Sequence, residues 1–376
     1  MATEWTRRHL LQSGLGAAAS ALAFGAACAE HPAREPTEAP GALLPPAPDP
    51  PPDVELVLRA GPGEVSLLDG PRTSVWRFSA RLLRGPADTL TASSESYLGP
   101  TLRLRRAQRV RIHFDNVLGE PSIVHWHGLH VPALSDGHPL YAIPSGRRYT
   151  YDFVVVNRAG TYWYHPHPHA RTGPQVYAGL AGLLLVSDSE EQRLALPDDD
   201  HELHLVLQDR SFDAQNQLVY APNRMLGMLG DQLIVNGEGE RVREVRAGPH
   251  RLRLLNGSNS RIFDLAWSDG SPLLVIGTDG GLLDAPRPMS HVVLAPAQRL
   301  ELWADFGQLP GSDVWLESRA FEAPSTGMGR GMGGGAASVP NGAPLRLQRF
   351  VTTGAAARAS RPPDRLLVSG AATAAF

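Results

Sequence analysis

From about Asp53 onward this chain is dominated by short apolar runs that alternate with polar residues and are separated by Gly, Pro, Asn and Asp. Leu102 and Leu104, then Val110, Ile112 and Phe114, follow this pattern, as do Leu203, Leu205 and Leu207, and Leu252 with Leu254. Successive side chains of a strand point to opposite faces, so the spacing puts one face in a core and the other in solvent. Little helical periodicity competes with it. Many such strands predict an all-β chain built as sandwiches or barrels.

At 376 residues and 42% hydrophobic content the chain has room for two ordinary domains. Between Ser187 and Asp200 the charged, turn-prone runs Asp188-Ser189-Glu190-Glu191 and Pro197-Asp198-Asp199-Asp200 mark a boundary. We therefore expect one domain over 53–188 and another over 200–352. The loop from Met328 to Gly335 interrupts the second set of strands. Residues 30–52, with Pro45-Pro46 and Pro50-Pro51-Pro52, predict an extended spacer. Residues 353–376 are Ala- and Arg-rich and read as a tail without a folded unit of its own.

The first 29 residues predict an exported protein. Arg7-Arg8 precedes a mild Ala/Gly/Leu stretch and the small-residue triplet Ala27-Cys28-Ala29, the order of a twin-arginine signal. A spanning helix needs about 20 strongly apolar residues, which this stretch lacks. Cys28 is either removed with the signal or lipidated, and Gly25 weakens the lipid reading. The expected location is periplasmic or extracellular, with no transmembrane segment in the mature chain. As the single cysteine, Cys28 excludes an internal disulfide and a cysteine-based zinc site. All 35 basic residues are arginine, the formal net charge is -3 and no basic stripe stands out, so nucleic acid is not an expected partner.

Two segments carry chemistry: His125-Trp126-His127-Gly128 and, 38 positions later, His165-Pro166-His167 within Tyr162-Trp163-Tyr164-His165-Pro166-His167-Pro168-His169. Residues i and i+2 of a strand share a face, so each pair can offer two imidazoles to one metal cluster. Imidazole suits copper, zinc, iron and nickel, and spacing alone does not choose among them. One pair alone would more often line a solvated strand face. Two pairs in aromatic-rich strands of one domain favour a metal. His201, His204, His250 and His291 are scattered over the second domain and form no such pair. Met328 and Met332 are soft donors, but a flexible glycine loop often holds an incidental methionine.

These residues resemble the bacterial laccase, cuprous oxidase and bilirubin oxidase group of multicopper oxidases. The resemblance covers about residues 53–352. It includes Tyr97-Leu98-Gly99-Pro100-Thr101, Gln208-Asp209-Arg210, Gly230-Asp231, Asn256-Gly257-Ser258 and Gly277-Thr278-Asp279-Gly280-Gly281. It implies two cupredoxin-like Greek-key β-sandwich domains. It also implies copper at half of a trinuclear cluster, with His125 on the type 2 ion and His127, His165 and His167 on the type 3 pair. His130 and His169 match no ligand position securely and are expected to be supporting or surface residues. Asp136 is open between a role in a solvent or proton path and a plain loop residue. The second domain is expected to be a spacer without copper.

The family's His-Pro-x-His-x-His and His-Cys-His motifs do not occur in this sequence. The third domain and the type 1 copper site are thus expected to be absent, and a separate C-terminal domain becomes a candidate partner. The complete enzyme would couple oxidation of a small-molecule donor or cuprous ion to reduction of dioxygen to water. This chain alone is expected to be an inactive N-terminal part of such an oxidase. Two alternatives stand beside that reading: a non-catalytic periplasmic copper-binding protein, and a scaffold that keeps the histidines only by inheritance.

Overall fold

The computed structural model describes residues 51–91, 96–238, 242–308, 313–323, 339–354 and 361–367. The signal segment, Cys28, most of the proline spacer, Met328 and Met332 lie outside the described residues.

Nine strands form the N-terminal sandwich: β1 (Val54–Val65), β2 (Thr73–Arg84), β3 (Leu90–Thr91), β4 (Thr101–Arg105), β5 (Arg109–Asn116), β6 (Val124–His127), β7 (Arg147–Val154), β8 (Gly160–Pro166) and β9 (Gly182–Ser187). One sheet has the order β2-β1-β5-β7 and the other β3-β4-β9-β8-β6. β1 runs parallel to β5, and β4 parallel to β9. A short helix, α1 (Thr172–Tyr177), connects β8 to β9. The alternating residues meet as expected: Leu56 and Leu58 of β1, Val110, Ile112 and Phe114 of β5, and Leu102 and Leu104 of β4 share one buried cluster with Trp126 and Tyr164. Burial of each such side chain contributes about 1.5–3 kcal/mol.

The helix α2 (Ser189–Gln192) opens the crossing to a second sandwich, its first turn capped by the Asp188 carboxylate accepting from the Glu190 and Glu191 amides. Eleven strands follow: β10 (Glu202–Arg210), β11 (Gln232–Val235), β12 (Val242–Arg246), β13 (Pro249–Asn256), β14 (Phe263–Trp267), β15 (Leu273–Thr278), β16 (Gly281–Met289), β17 (Val292–Leu294), β18 (Arg299–Asp305), β19 (Asp313–Ser318) and β20 (Leu345–Thr353). They make sheets of order β11-β10-β13-β18-β15-β16 and β12-β20-β19-β14-β17 around a core that includes Leu205, Leu252, Leu254 and Phe350. The chain is thus all-β, with cupredoxin-like sandwiches.

The expectation that the polar face of each strand meets solvent fails along β13. Arg251 and Arg253, which alternate with Leu252 and Leu254, are buried. The reason is that their face of the six-stranded sheet is covered by the β8 side of the first sandwich. Every residue of β8 is buried. Its Thr161 hydroxyl donates to Glu301 of β18 at 2.7 Å. Glu301 in turn accepts from Arg251 Nε and from Arg253 Nη1, both at 2.9 Å. Arg253 also reaches Glu202 at 2.6 Å, and Glu202 accepts from Arg103 of β4 at 3.0 Å. Glu191 of α2, in the run read as a charged break, is buried and pairs with Arg251 at 2.7 Å.

Beyond these ions, Gly160 packs so closely that a Cβ there would lie 2.9 Å from the Cα of Gly281. Arg210 lies between Tyr97 and Tyr177, 5.5 and 4.7 Å from their ring centres, and the Tyr97 hydroxyl donates to Gln208 at 2.7 Å. The region read as a featureless tail also contributes. Leu366 is buried with Leu196, Ile276, Leu282 and Trp303, and its amide donates to the Asp284 carbonyl.

Breaking such a network by removing one charge costs about 3–5 kcal/mol, because the partners remain buried. Glu301→Gln should therefore lower unfolding stability in urea by about that amount, whereas Arg349→Gln, at a solvent-screened exposed pair with Asp313, should leave the urea midpoint nearly unchanged. Burial pushes the Glu301 carboxyl up, but Arg251, Arg253 and the Thr161 hydroxyl outweigh it and hold it at about 2. An acid group depressed in the folded state stabilises above its unfolded pKa of about 4.3 and loses that contribution as pH falls toward the folded value. Stability measured by urea titration should consequently drop between about pH 4 and pH 2, and the drop should be smaller in Glu301→Gln.

Candidate metal centre

β6 and β8 pair antiparallel with His125 opposite His165 and His127 opposite Trp163. On one face of this ribbon Val124, Trp126 and Tyr164 enter the core of the first sandwich. The other face therefore presents His125, His127, Trp163 and His165. His167 follows just past the end of β8, its amide still bonded to the Ile123 carbonyl at 2.8 Å. β6 lies at the edge of its sheet, which leaves its imidazoles only partly covered.

The four rings converge. The His125 ring centre lies 5.6, 5.4 and 5.2 Å from those of His127, His165 and His167, and His127 and His165 are 5.5 Å apart. One ring nitrogen from each of His125, His127 and His165 falls within 4.8 Å of the other two. His127 Nδ1 faces His165 Nε2 at 3.4 Å. Trp163 walls the group from the side of the second sandwich, stacked 4.2 Å from the His165 ring centre and 5.3 Å from that of His127.

Backbone carbonyls set the tautomers. A carbonyl can only accept, so His125 Nδ1 donates to the Asp136 carbonyl at 2.7 Å and His165 Nδ1 to that of Pro166 at 2.9 Å. In each ring this leaves Nε2 with its lone pair, the form a metal needs. The Asp136 contact depends on Gly137, which has a φ of +78° and whose Cβ would lie 2.0 Å from the Val124 carbonyl. Only glycine lets the loop return this closely. Asp136 is thus more than a loop residue: its carbonyl orients His125, and its carboxylate lies 3.4 Å from the same nitrogen.

All shifts at the cluster favour neutral imidazole. Burial, the Arg299 cation and then His125 and His167 lower His127 to about 4. Burial drives His165 well below its ordinary value, aided by its neighbouring histidines. His167 is lowered mainly by burial and by His125. A buried imidazole group that resists protonation is a preformed soft-to-intermediate donor set, and the residues present fit a copper ion on that chemistry.

Sequence reasoning missed Arg299. It belongs to β18 of the second sandwich, donates from Nε to the Thr161 carbonyl at 3.1 Å, and pairs with Asp279 at 2.9 Å. Its guanidinium lies against Gly128, where a Cβ would meet it at 2.6 Å. The Gly277–Gly281 motif, which holds Asp279, was visible, but no signal tied it to the histidines. His130 and His169 are exposed and stand outside the cluster. In the second sandwich His201 bonds to the Pro249 carbonyl, His204 to Glu202, His250 to the Gly248 carbonyl and His291 to Asp264. Among the described residues these four join no group able to hold a metal.

The profile of the multicopper oxidase family matches residues 76–191, the span that contains all four histidines. The chain is 35% identical over 219 residues to the multicopper oxidase mco of Staphylococcus aureus, covering 58% of this chain and 49% of that protein. It is 36% identical over 306 residues to the cell division protein FtsP of Sodalis glossinidius, covering 80% of this chain and 60% of that one. The crystal structure of the McoA multicopper oxidase from Aquifex aeolicus superposes with a TM-score of 0.71 at 31% identity, over 84% of this chain and 65% of that chain. The chain thus spans about half the length of the curated relatives it matches. By sequence over residues 76–191 and by fold over most of its described length, this chain belongs to the multicopper oxidase family.

Proposed function

We propose that the chain is the copper-binding N-terminal part of a multicopper oxidase, with His125 as ligand of a type 2 copper and His127, His165 and His167 as ligands of a type 3 pair. The observation that carries this reading is the convergence within 4.8 Å of ring nitrogens from His125, His127 and His165, which come from two sequence-distant His-x-His pairs. Copper bound there would supply one-electron redox chemistry between a donor and dioxygen. The protein's own residues do the rest: Asp136 and Pro166 orient rings, Trp163 excludes water on one side, and burial together with the Arg299 cation keeps His127 free of protons. Four imidazoles on one domain make half of a trinuclear set and provide no type 1 ligands, so the reading is that copper binds without turnover in this chain alone. A separate C-terminal domain would complete the site, with dioxygen and a small-molecule donor or cuprous ion as substrates. Export by the twin-arginine route to the periplasm or beyond belongs to the same reading.

A second reading is a non-catalytic copper-binding protein. The similarity to proteins named for cell division rather than oxidation favours it. Copper stoichiometry and oxygen uptake with a phenolic donor separate the possibilities. Copper without uptake is the expected result, sustained uptake would mean that ligands come from elsewhere, and no copper would leave a scaffold.

His127→Ala should reduce bound copper while the far-ultraviolet circular dichroism is unchanged, because His127 is only half-buried. His165→Ala should also reduce it. His165 lies on the strand face opposite the first core but is buried under Trp163, so its loss should in addition cost roughly 1–3 kcal/mol in urea unfolding. Unchanged copper content in both variants would overturn the assignment.

A further inference from the structure

Trp126 sits between the proposed ligands His125 and His127 and is fully buried on the opposite strand face. From it a line of aromatic rings leads outward. Its ring centre is 5.1 Å from that of Tyr151, Tyr151 is 5.0 Å from Tyr149, and Tyr149 is 6.2 Å from Tyr141. Tyr141 is 36% exposed, so the line ends in water. Tyr151 and Tyr149 belong to β7 and cross the sandwich from the core side of β6 to the surface loop that carries Asp136.

The hydrogen bonding along this line is graded. The Trp126 Nε1 proton has no partner among the described residues. The Tyr151 oxygen accepts from the Val124 amide at 2.8 Å, and the Tyr149 hydroxyl donates to the Leu134 carbonyl at 2.6 Å. An amide carbonyl is too weak a base to keep a phenolic proton. An oxidised ring at these three positions therefore cannot settle as a neutral radical, whereas at Tyr141 water removes the proton.

We infer that Trp126, Tyr151, Tyr149 and Tyr141 form an electron path between the histidine cluster and the protein surface, through which a small phenol or thiol donor at Tyr141 can reduce an oxidant at the cluster. The inference rests on the copper reading above. With hydrogen peroxide as the oxidant, peroxide gains two electrons and two protons and leaves as two waters. Each electron is drawn from Trp126, which is refilled in turn by Tyr151, Tyr149 and Tyr141. Tyr141 releases its phenolic proton to solvent and regains a hydrogen atom from the donor, so that one peroxide converts two donor molecules into two donor radicals.

The test uses the copper-loaded chain, with bound copper measured in every sample. Peroxide is added without donor, and the sample is frozen for electron paramagnetic resonance and digested for mass-spectrometric mapping of oxidised residues. The wild-type chain should give a neutral tyrosyl signal that is lost in Tyr141→Phe. Tyr149→Phe and, as a second interruption, Tyr151→Phe should lose oxidation at Tyr141 and gain it at Trp126, with copper content unchanged; the thermal midpoint should hold in Tyr149→Phe and fall in Tyr151→Phe, which leaves the buried Val124 amide without its acceptor. Copper bound but Tyr141 oxidised equally in the wild type and both interrupted variants would show direct attack from solution and overturn the path alone. Copper bound with no oxidation at Tyr141 would overturn it equally. No bound copper would overturn the copper reading and the path together.

Discussion

The pairing of β6 with β8 in a single register is the constraint on which the rest depends. A shift of one residue would turn every side chain of β6 to the other face. Trp126 would leave the core and two imidazoles would enter it. Because Trp126 is fully buried against Tyr151, Phe153 and Tyr164, that slip costs the transfer energy of the largest side chain in the chain's alphabet. The apolar core thus holds the shared histidine face in place, and the histidines contribute little to their own alignment.

β8 does this work twice. One of its faces completes the first core, while the other carries His165 and, four residues earlier, Thr161, which is bonded to Glu301 of the second sandwich. Among the described residues the second sandwich adds no side chain to the histidine cluster, but it delivers Arg299 to its border and covers Trp163 through Val206 and Leu255. A domain that reads as a spacer therefore shapes the electrostatics of the centre. The buried ions, the stacked Arg210 and the opposed Gly160 and Gly281 hold it where that influence reaches.

Much of this was legible in the sequence, for a physical reason. Period-two alternation is a local property, and it predicted the strands and the face shared by His125 and His127. What alternation could not say is what covers a polar face. Arg251 and Arg253 have the spacing of solvent-facing residues and are buried because a second layer, not water, lies over them. Arg299 acts on His127 across more than 170 positions, a distance at which no spacing rule operates. Leu366 belongs to the short run Leu366-Leu367-Val368, too brief for a periodicity to mark it. The Asp136 contact is made by a carbonyl, which every residue has, and only Gly137 hinted at the close approach.

The exclusive use of arginine has a consequence at the joint between the sandwiches. A guanidinium does not lose its proton in proteins, whereas a buried lysine readily does. Arg253 is held above even its ordinary value, since Glu301, Glu202 and Glu191 outweigh its burial. Alkali therefore cannot discharge the cations of this joint, and only acid can discharge its carboxylates. The two sandwiches are fastened by a catch that releases in one direction of pH.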